Sequence, residues 1–387
     1  MICNSYQLQD VCSFIDYRGK TPPKTTSGVP LITAKIIKNG TILSPQEYIA
    51  LDYYDEWMRR GIPKKGSVVF TTEAPLGEVA QIKTDERLAF AQRVIILEPD
   101  PNVLNPNYLL YALQDKVLQE RIKARATGTT VIGIKAAELK KVVIDLPPVD
   151  IQSNISGILR SFDDKIELNQ KINWNLQQQA FTLFDRFLSI EHSSKCPLSQ
   201  IAIINPKRIL KKGKYARYID MAQLSTSGSF PNGWEIKPYN GGMRFSNGDT
   251  LLARITPCLE NGKTAYIDFL GENEVAFGST EYVVISSRGE YPPEFFYCLA
   301  RCPSFVDYAV KNMNGSSGRQ RVSAEAIGNY VLPMLTDDEL SEFRSTVPCL
   351  FRAMRNNSIE NTSLAQLRDA LLPKLMSGEI DVSDIRF

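Results

Sequence analysis

The chain has 387 residues, 43% of them hydrophobic, and its 45 basic side chains nearly balance its 43 acidic ones. This length allows two or three domains. No stretch approaches the ~20 apolar residues of a membrane span, and the N-terminus lacks the pattern of a signal peptide, so we expect a cytoplasmic protein. The net charge of +2 does not by itself indicate nucleic acid, so any basic surface must be local. Seven cysteines without a Cys-x-x-Cys pair argue against a disulfide framework and predict no metal site.

The first part of the chain predicts a domain of short strands broken by turns, followed by one long helix. Apolar residues then recur at alternating steps of three and four, which is the spacing of a coiled coil. At 1.5 Å per residue this helix is roughly 55 Å long, more than an ordinary globular helix. The predicted seam of the helix consists of Ile155, Ile158, Phe162, Asn169, Ile172 and Leu176.

The second half of the chain repeats this order, with matched features roughly 182 to 190 residues apart. A second helix with the same spacing follows the second domain, and its predicted seam is Leu350, Met354, Asn357, Asn361, Leu364 and Leu371. Asparagines in both seams would fix the register of an antiparallel pair with approximate two-fold symmetry. Pro348 predicts a kink in this helix.

The predicted fold class is therefore α+β: two mixed domains of short twisted sheets and small helices, separated by two long helices that form an antiparallel coiled coil. In order, the first domain, the central helix, the second domain, the distal helix and a C-terminal tail occupy residues 1–149, 150–188, 189–336, 337–376 and 377–387.

Clusters of cationic and polar residues in the loops of both domains are the strongest binding signal. Clustered cations contact phosphates, whereas arginine and polar side chains read base edges. The segment 205–217 is the densest cluster, with six cations and no acidic residue. The candidate DNA-binding residues are Arg18, Lys20, Lys24, Thr72 and Glu73 in the first domain, and Lys207, Arg208, Lys211, Lys212, Lys214, Arg217, Arg254, Lys263, Arg319 and Arg321 in the second.

Signals for catalysis are weak. The only histidine, His192, lies just after the first long helix, where an isolated histidine is more often inert than catalytic. No Gly-x-x-x-x-Gly-Lys-Ser/Thr loop and no Gly-x-Gly-x-x-Gly turn is present, so neither of these phosphate-binding motifs is available to a cofactor. We predict that the chain has no catalytic residues and binds no cofactor.

Four phrases of the sequence resemble the specificity subunits of type I restriction–modification systems. They are GSVVFTTEAPLGEVA at 66–80, LPPVDIQ at 146–152, GDTLLARITPCLENGK at 248–263 and LLPKLMSGEI at 371–380. The resemblance implies that each domain is a target recognition domain for one half of a split DNA sequence. It also implies that the coiled coil docks two modification (methyltransferase) subunits, which carry S-adenosylmethionine and methylate adenine. Restriction subunits would add translocation and cleavage driven by ATP and Mg²⁺.

Two other interpretations of the residues stay open. One is a structural adaptor whose domains and helices bind proteins rather than DNA. The other is a stand-alone adenine methyltransferase, which the missing cofactor loop disfavours. Binding of DNA by the basic loops would distinguish the first alternative, and methyl transfer by the chain alone would distinguish the second.

Overall fold

The protein is described by a computed structural model over residues 3–316 and 318–385, and it divides into two compact units. The first unit is Met1–Lys165 with Leu364–Phe387, and the second is Ile166–Ser363. Two helices of 41 residues each contribute one segment to either unit. The part of the chain that the structure describes contains no helix long and apolar enough to cross a membrane.

The strands are short, and most belong to small antiparallel sheets. Those of the first unit are β1 Asn4–Gln7, β2 Cys12–Asp16, β3 Val29–Ile32, β4 Ile37–Lys38, β5 Thr41–Ile42, β6 Tyr48–Ile49, β7 Val68–Thr72, β8 Leu76–Gln81, β9 Ala89–Phe90, β10 Val94–Pro99 and β11 Val143–Leu146. Those of the second unit are β12 Lys195–Pro197, β13 Ala202–Ile204, β14 Tyr215–Ile219, β15 Glu235–Pro238, β16 Met243–Phe245, β17 Thr250–Ala253, β18 Thr264–Tyr266, β19 Ala276–Gly278, β20 Tyr282–Ser287, β21 Met313–Asn314, β22 Arg321–Val322 and β23 Val331–Pro333.

Short helices cover the sheets, and the two long helices follow the two domains. The α-helices are α1 Leu8–Val11, α2 Tyr54–Trp57, α3 Pro106–Gln114, α4 Lys116–Lys123, α5 Ala136–Lys140, α6 Val149–Ser189, α7 Leu198–Ile201, α8 Pro293–Arg301, α9 Pro303–Lys311, α10 Ala324–Gly328 and α11 Asp337–Ser377. Asn105 caps α3 through its side-chain oxygen, with proline at the first helical position, and Asp115 caps α4.

The first unit is built around the antiparallel sheet β2-β10-β7-β8. Successive side chains of a strand point to opposite faces. Val68 and Phe70 of β7 accordingly pack in the same core as α3 and α4, while Val69 packs in the core that contains β3 and β9. The sheet is therefore buried on both faces, which explains why its strands read as continuous apolar runs.

The second unit repeats this plan with the antiparallel sheet β13-β20-β17-β18. Leu252 of β17 packs with α8 and α9, and Leu251 packs in the opposite core. A parallel pair lies beside the main sheet in each unit, β3 with β9 and β14 with β19. The first unit extends its pair into a three-stranded sheet, β6-β3-β9, whereas the second extends its pair into a four-stranded sheet, β15-β14-β19-β16.

In each unit a segment of α6 packs antiparallel to a segment of α11. In the first unit the side chain of Arg368 binds Asp163 (2.5 Å) and Asn154 donates to the Val382 carbonyl oxygen (3.0 Å). In the second unit Phe187 packs against Phe343, at a ring-centroid distance of 6.4 Å. The partner's residue number falls as the α6 number rises, so the predicted α+β fold with an antiparallel helix pair and an internal repeat is confirmed.

Asparagines form a polar layer in the helix pair of the second unit. Asn169 donates to Asn361 (2.9 Å), and Asn357 donates to Asn173 (2.8 Å). Because Asn169 is 1% exposed, a shift of one helix along the other would leave its amide without a partner. These amides therefore fix the register, as the asparagines in the two seams predicted.

One predicted seam residue is wrong. The side chain of Ile172 is 38% exposed, and Asn173 takes its place between the helices. The inward positions run Asn169, Asn173, Gln177, two consecutive steps of four. A straight helix drifts by about 20° per heptad relative to a strict 3.5-residue repeat. A prediction that continues to alternate steps of three and four therefore selects residues that no longer face the partner helix.

The other predicted seam residues are buried or half-buried. Half-buried positions are Ile158, Phe162, Leu176, Leu350, Asn357, Asn361, Leu364 and Leu371, and Ile155, Asn169 and Met354 are buried. Leu159, Ala180 and Phe184 are also buried on α6, although the regular spacing did not select them. α11 continues through Pro348 without interruption.

Candidate nucleic-acid interface

The topology brings most of the candidate loops of the first domain to one edge of its main sheet. β2 ends, β10 begins and β7 ends at this edge, as the pairings Ile95 with Asp16 and Val94 with Thr71 show. Backbone hydrogen bonds add the 127–133 loop, since the Ile134 amide donates to the Thr72 carbonyl (2.9 Å). We call residues 17–24, 73–75, 91–93 and 127–133 the first loop edge.

The second domain has an equivalent edge. β13 ends beside Ile285 of β20, and Ala253 at the end of β17 pairs with Tyr282 at the start of β20. The β21–β22 hairpin joins this edge because the Val322 amide donates to the Arg254 carbonyl (3.0 Å). We call residues 205–214, 254–263, 279–281, 313–316 and 318–320, together with Arg321, the second loop edge.

Four lysines of the second loop edge are exposed. They are Lys207, Lys211, Lys212 and Lys214, named here the lysine cluster. None of them forms an ion pair among the described residues, and the neighbouring Ile209 and Tyr215 are 88% and 68% exposed. An unpaired run of ammonium groups beside apolar and aromatic surface is the arrangement that nucleic-acid backbones and bases bind.

The loop that carries the lysine cluster is anchored from within. Asn205 exchanges hydrogen bonds with Val284: its amide donates to the carbonyl (2.7 Å) and its side-chain oxygen accepts from the amide (2.9 Å). Leu210 is buried. Arg208 binds Asp249 through two nitrogens, at 2.9 and 2.5 Å, although burial raises the pKa of that carboxyl group. Arg208 thus holds the loop through its pair with Asp249, and its contact with DNA stays a prediction.

Arg217 and Lys263 are also engaged inside the second domain. The Arg217 guanidinium donates to the Phe269 carbonyl (2.8 Å) and lies over the Trp234 ring at 4.9 Å. The Lys263 ammonium donates to the Met221 carbonyl (2.9 Å). Both side chains brace loops in this conformation, and contact of these two residues with DNA stays a prediction.

Arg254, Glu281 and Arg321 form a charged group at the sheet edge. Arg321 binds the Glu281 carboxylate with Nε and Nη2, the shorter contact being 2.7 Å. The hydrogen bond from Arg321 lowers the pKa of Glu281, and the charge of Arg254 lowers it further. The Arg254 Nε is buried without a hydrogen-bond partner among the described residues. Two cations therefore share one carboxylate, while Arg319 is exposed beside them.

Most cations of the first loop edge are paired. Arg18 binds Asp16 (2.6 Å), an interaction that lowers the pKa of the carboxyl group against the effect of its burial. Lys24 binds Glu47 (2.8 Å). Lys20 is exposed and forms no ion pair among the described residues. The first edge therefore carries less unpaired positive charge than the second.

The turn after β7 holds a third ion pair of the first edge. Glu73 Oε1 lies 3.1 Å from Arg93 Nε, and about half of the Arg93 side chain is exposed. Thr72 is 3% exposed, which corrects the expectation that its side chain contacts DNA. Its amide donates to the Arg93 carbonyl (2.8 Å), so it holds the turn in place.

Sequence reasoning missed Arg93, Asp249 and Glu281. Arg93 and Glu281 each directly precede the strand that occupies the second place in its sheet, β10 or β20. The matching of Phe90–Leu97 with 277–285 in the two halves could have identified this shared position. Asp249 follows a glycine at a strand start, and nothing in its local sequence indicates that it is buried against an arginine.

Comparison with known proteins finds similarity to one family of proteins. Residues 3–178 match the family model described as the type I restriction modification DNA specificity domain. The chain is 26% identical over 355 residues to the type I restriction enzyme MjaIX specificity subunit of Methanocaldococcus jannaschii, covering 83% of this chain and 79% of that protein. It is 22% identical to the HindI specificity subunit of Haemophilus influenzae, covering 82% and 87%.

A solved structure has the same fold. The type I specificity subunit from Mycoplasma genitalium superimposes with a TM-score of 0.55 over 97% of this chain and 96% of that chain, at 18% identity. The likeness in fold extends over nearly the whole chain, as the matches in sequence extend over most of it. The chain is thus similar over most of its length to type I restriction–modification specificity subunits, and its residues 3–178 match the DNA specificity domain of that family.

Proposed function

We propose that this chain is the non-catalytic subunit that selects the DNA target of a cytoplasmic type I restriction–modification complex. Each domain reads one half of a bipartite duplex sequence through its loop edge. The observation that carries the proposal is the convergence of cationic loops from separate parts of the sequence on one edge of the sheet in both domains.

The exposed cations and the braced cations have different roles in this proposal. The lysine cluster, Lys20 and Arg319 contact phosphates, because exposed cations without a protein partner release counterions on binding. Arg93 and Arg321 are oriented by carboxylates, and an arginine in a fixed orientation can bond to a base edge with a smaller loss of conformational entropy. Phosphate contacts position the domain, and base contacts select the sequence.

The long helices provide the docking surface for two modification subunits. Leu168 and Trp174 of α6 and Ile359 and Leu367 of α11 are 51 to 60% exposed, although each lies on a helix whose other face is covered. Exposed large apolar side chains on a paired helix favour contact with another protein. S-adenosylmethionine and adenine methylation are assigned to these partners, and ATP, Mg²⁺ and cleavage to restriction subunits.

The test is selection of duplexes from a random library by the chain assembled with its modification subunits. We expect one enriched motif with two specified parts separated by an unspecified spacer. Enrichment of a single continuous motif, or of none, would contradict the proposal.

A matched variant separates DNA reading from a role as a protein adaptor. Replacing the lysine cluster with glutamates should weaken DNA binding by about 1000-fold and leave the assembly with modification subunits intact, as measured by size-exclusion chromatography. Retention of full DNA affinity by this variant would support the adaptor interpretation instead.

A further inference from the structure

Two neighbouring apolar side chains at the first loop edge have no role in the fold. Val131 and Ile132 are 50% and 55% exposed, at the tip of the 127–133 loop. Single exposed apolar residues are common on protein surfaces, but two adjacent branched ones on a binding edge are not required by packing.

The loop that carries them has a defined conformation. The Thr127 amide donates to the Gly133 carbonyl (2.8 Å) and the Gly133 amide donates to the Thr127 carbonyl (2.9 Å), which closes the loop at its base. Gly128 has φ +126°, and a Cβ atom there would lie 2.1 Å from the Val131 carbonyl oxygen. The backbone therefore holds the tip in place before any ligand binds.

The base of the loop is fixed to the ion pair of the first edge. Gly133 pairs with Glu73 as an isolated antiparallel bridge, and a Cβ atom on Gly133 would meet that of Glu73 at 3.0 Å. Arg93 binds Glu73, and the charge of Glu73 acts on Arg18. The apolar tip thus belongs to the same surface as Arg93, for which a contact with a base edge is proposed.

The corresponding loop of the second domain has a different character. It joins β21 to β22 and carries Gly315, Arg319 and Gln320 without a branched apolar residue in its described part. The two domains therefore present different chemistry at the same position, an apolar tip in the first and a polar, cationic loop in the second.

We propose that Val131 and Ile132 read thymine in the first half-site, by contact with the 5-methyl groups in the major groove. This inference rests on the proposed function. The thymine methyl group is the one apolar feature among the base edges of that groove. Val and Ile side chains are stiff at χ1, so a fixed pair of them loses little conformational freedom on contact. Lys20, the exposed and unpaired cation among the described residues of the first edge, holds an adjacent phosphate.

The experiment replaces each thymine of the selected target by deoxyuridine, which removes only the methyl group, and measures the affinity of the chain assembled with its modification subunits. We expect about a 3- to 5-fold loss for each contacted thymine, the effect of one buried methyl group. The sensitive thymines should all lie in one half-site.

The V131A/I132A variant provides a second test of the same contact. It should bind the thymine and deoxyuridine duplexes equally at the positions where the wild type distinguishes them. Arg319→Ala is the matched control, because it lowers affinity but should keep that discrimination. Since both side chains are exposed, the variant should unfold at the wild-type temperature, and the deoxyuridine arm needs no variant at all.

The outcomes are distinct. If the complex selects a split target but no thymine-to-deoxyuridine change affects affinity, this inference is wrong and the proposed function stands. A loss of affinity in V131A/I132A without methyl discrimination in the wild type also overturns it, since that result indicates apolar insertion or a structural role. If the complex selects no split target, the proposed function itself fails.

Discussion

The two loop edges occupy equivalent places on equivalent sheets, yet they carry opposite charges at the position that precedes the second strand of the sheet. In the first domain this position is Arg93, paired with Glu73 of the β7–β8 turn. In the second it is Glu281, paired with Arg321 of the β21–β22 hairpin. Both domains have an ion pair at this position. The residue that precedes the strand is the cation in the first domain and the anion in the second, and its partner lies in a different loop.

This difference shows how two domains with the same sheet can bind different DNA sequences. The strands that follow these two positions, β10 and β20, are buried on both faces, so their sequence is constrained by packing. The loop residues lie outside those cores and need only close their own hydrogen bonds. A change of charge there alters what the edge binds without altering the sheet.

The largest expected effect is on DNA affinity, from reversing the charge of the lysine cluster to glutamate. Four phosphate contacts would be lost, so binding should weaken by about 1000-fold near 0.1 M salt and the slope of log K against log salt should fall by about 3 to 4. Fluorescence anisotropy over a salt series measures both. The control is Lys116→Glu with Lys195→Glu, two exposed lysines outside either loop edge. An unchanged slope in the cluster variant would remove it from the interface.

The next effect is on stability, and it separates the two domains. Arg208→Ala leaves the Asp249 carboxylate buried without its cation, which should lower the free energy of unfolding by about 3 kcal/mol. Arg18→Ala breaks a half-exposed pair and should lower it by at most about 1 kcal/mol. Urea denaturation measures both, and the R208M/D249L double variant should recover most of the loss. Equal losses in the two single variants would contradict the distinction between a buried and an exposed pair.

A smaller effect is expected on base preference. Arg321→Ala and Arg93→Ala should each relax selection in one half-site, with a change in discrimination of about 1 to 3 kcal/mol at the affected base pair. The two variants should affect different half-sites, because the arginines belong to different domains. Selection from a random library measures the base preference at each position. Loss of selectivity in the same half-site for both variants would rule out the idea that each domain recognises one half-site.

The smallest effect concerns the pH dependence of the second edge. Because Arg321 lowers the pKa of Glu281 below its ordinary value of 4.5, the folded state holds the ionised form. The stabilisation is therefore present above pH 4.5 and is lost as the pH falls through the lowered pKa. Glu281→Gln should be less stable than the wild type at pH 7, and the two should converge in acid. A constant difference in thermal unfolding temperature down to pH 3 would contradict this assignment.

Some features followed from the sequence without coordinates. The two long helices were predicted at 150–188 and 337–376, and they occupy Val149–Ser189 and Asp337–Ser377. Regular apolar spacing is a local property that helical geometry converts directly into a covered face. The duplication followed in the same way, because two halves that fold alike must repeat their apolar runs and turns in the same order.

Two features depended on tertiary structure: which residues of the long helices face each other, and which cations form ion pairs. Ile172 looked like a seam residue, but two successive steps of four bring Asn173 and Gln177 inward. Arg208 and Lys207 are neighbours of like charge, and only the fold directs one to Asp249 and the other to solvent.

The sequence by itself thus determined the repeat, the helices and the presence of basic loops, because each rests on spacing or composition along the chain. Only the tertiary structure decided which loops share an edge and which of their charges are free. That decision depends on strand order and on ion pairs between residues 20 to 41 positions apart, such as Arg93 with Glu73 and Arg208 with Asp249, which local sequence does not encode.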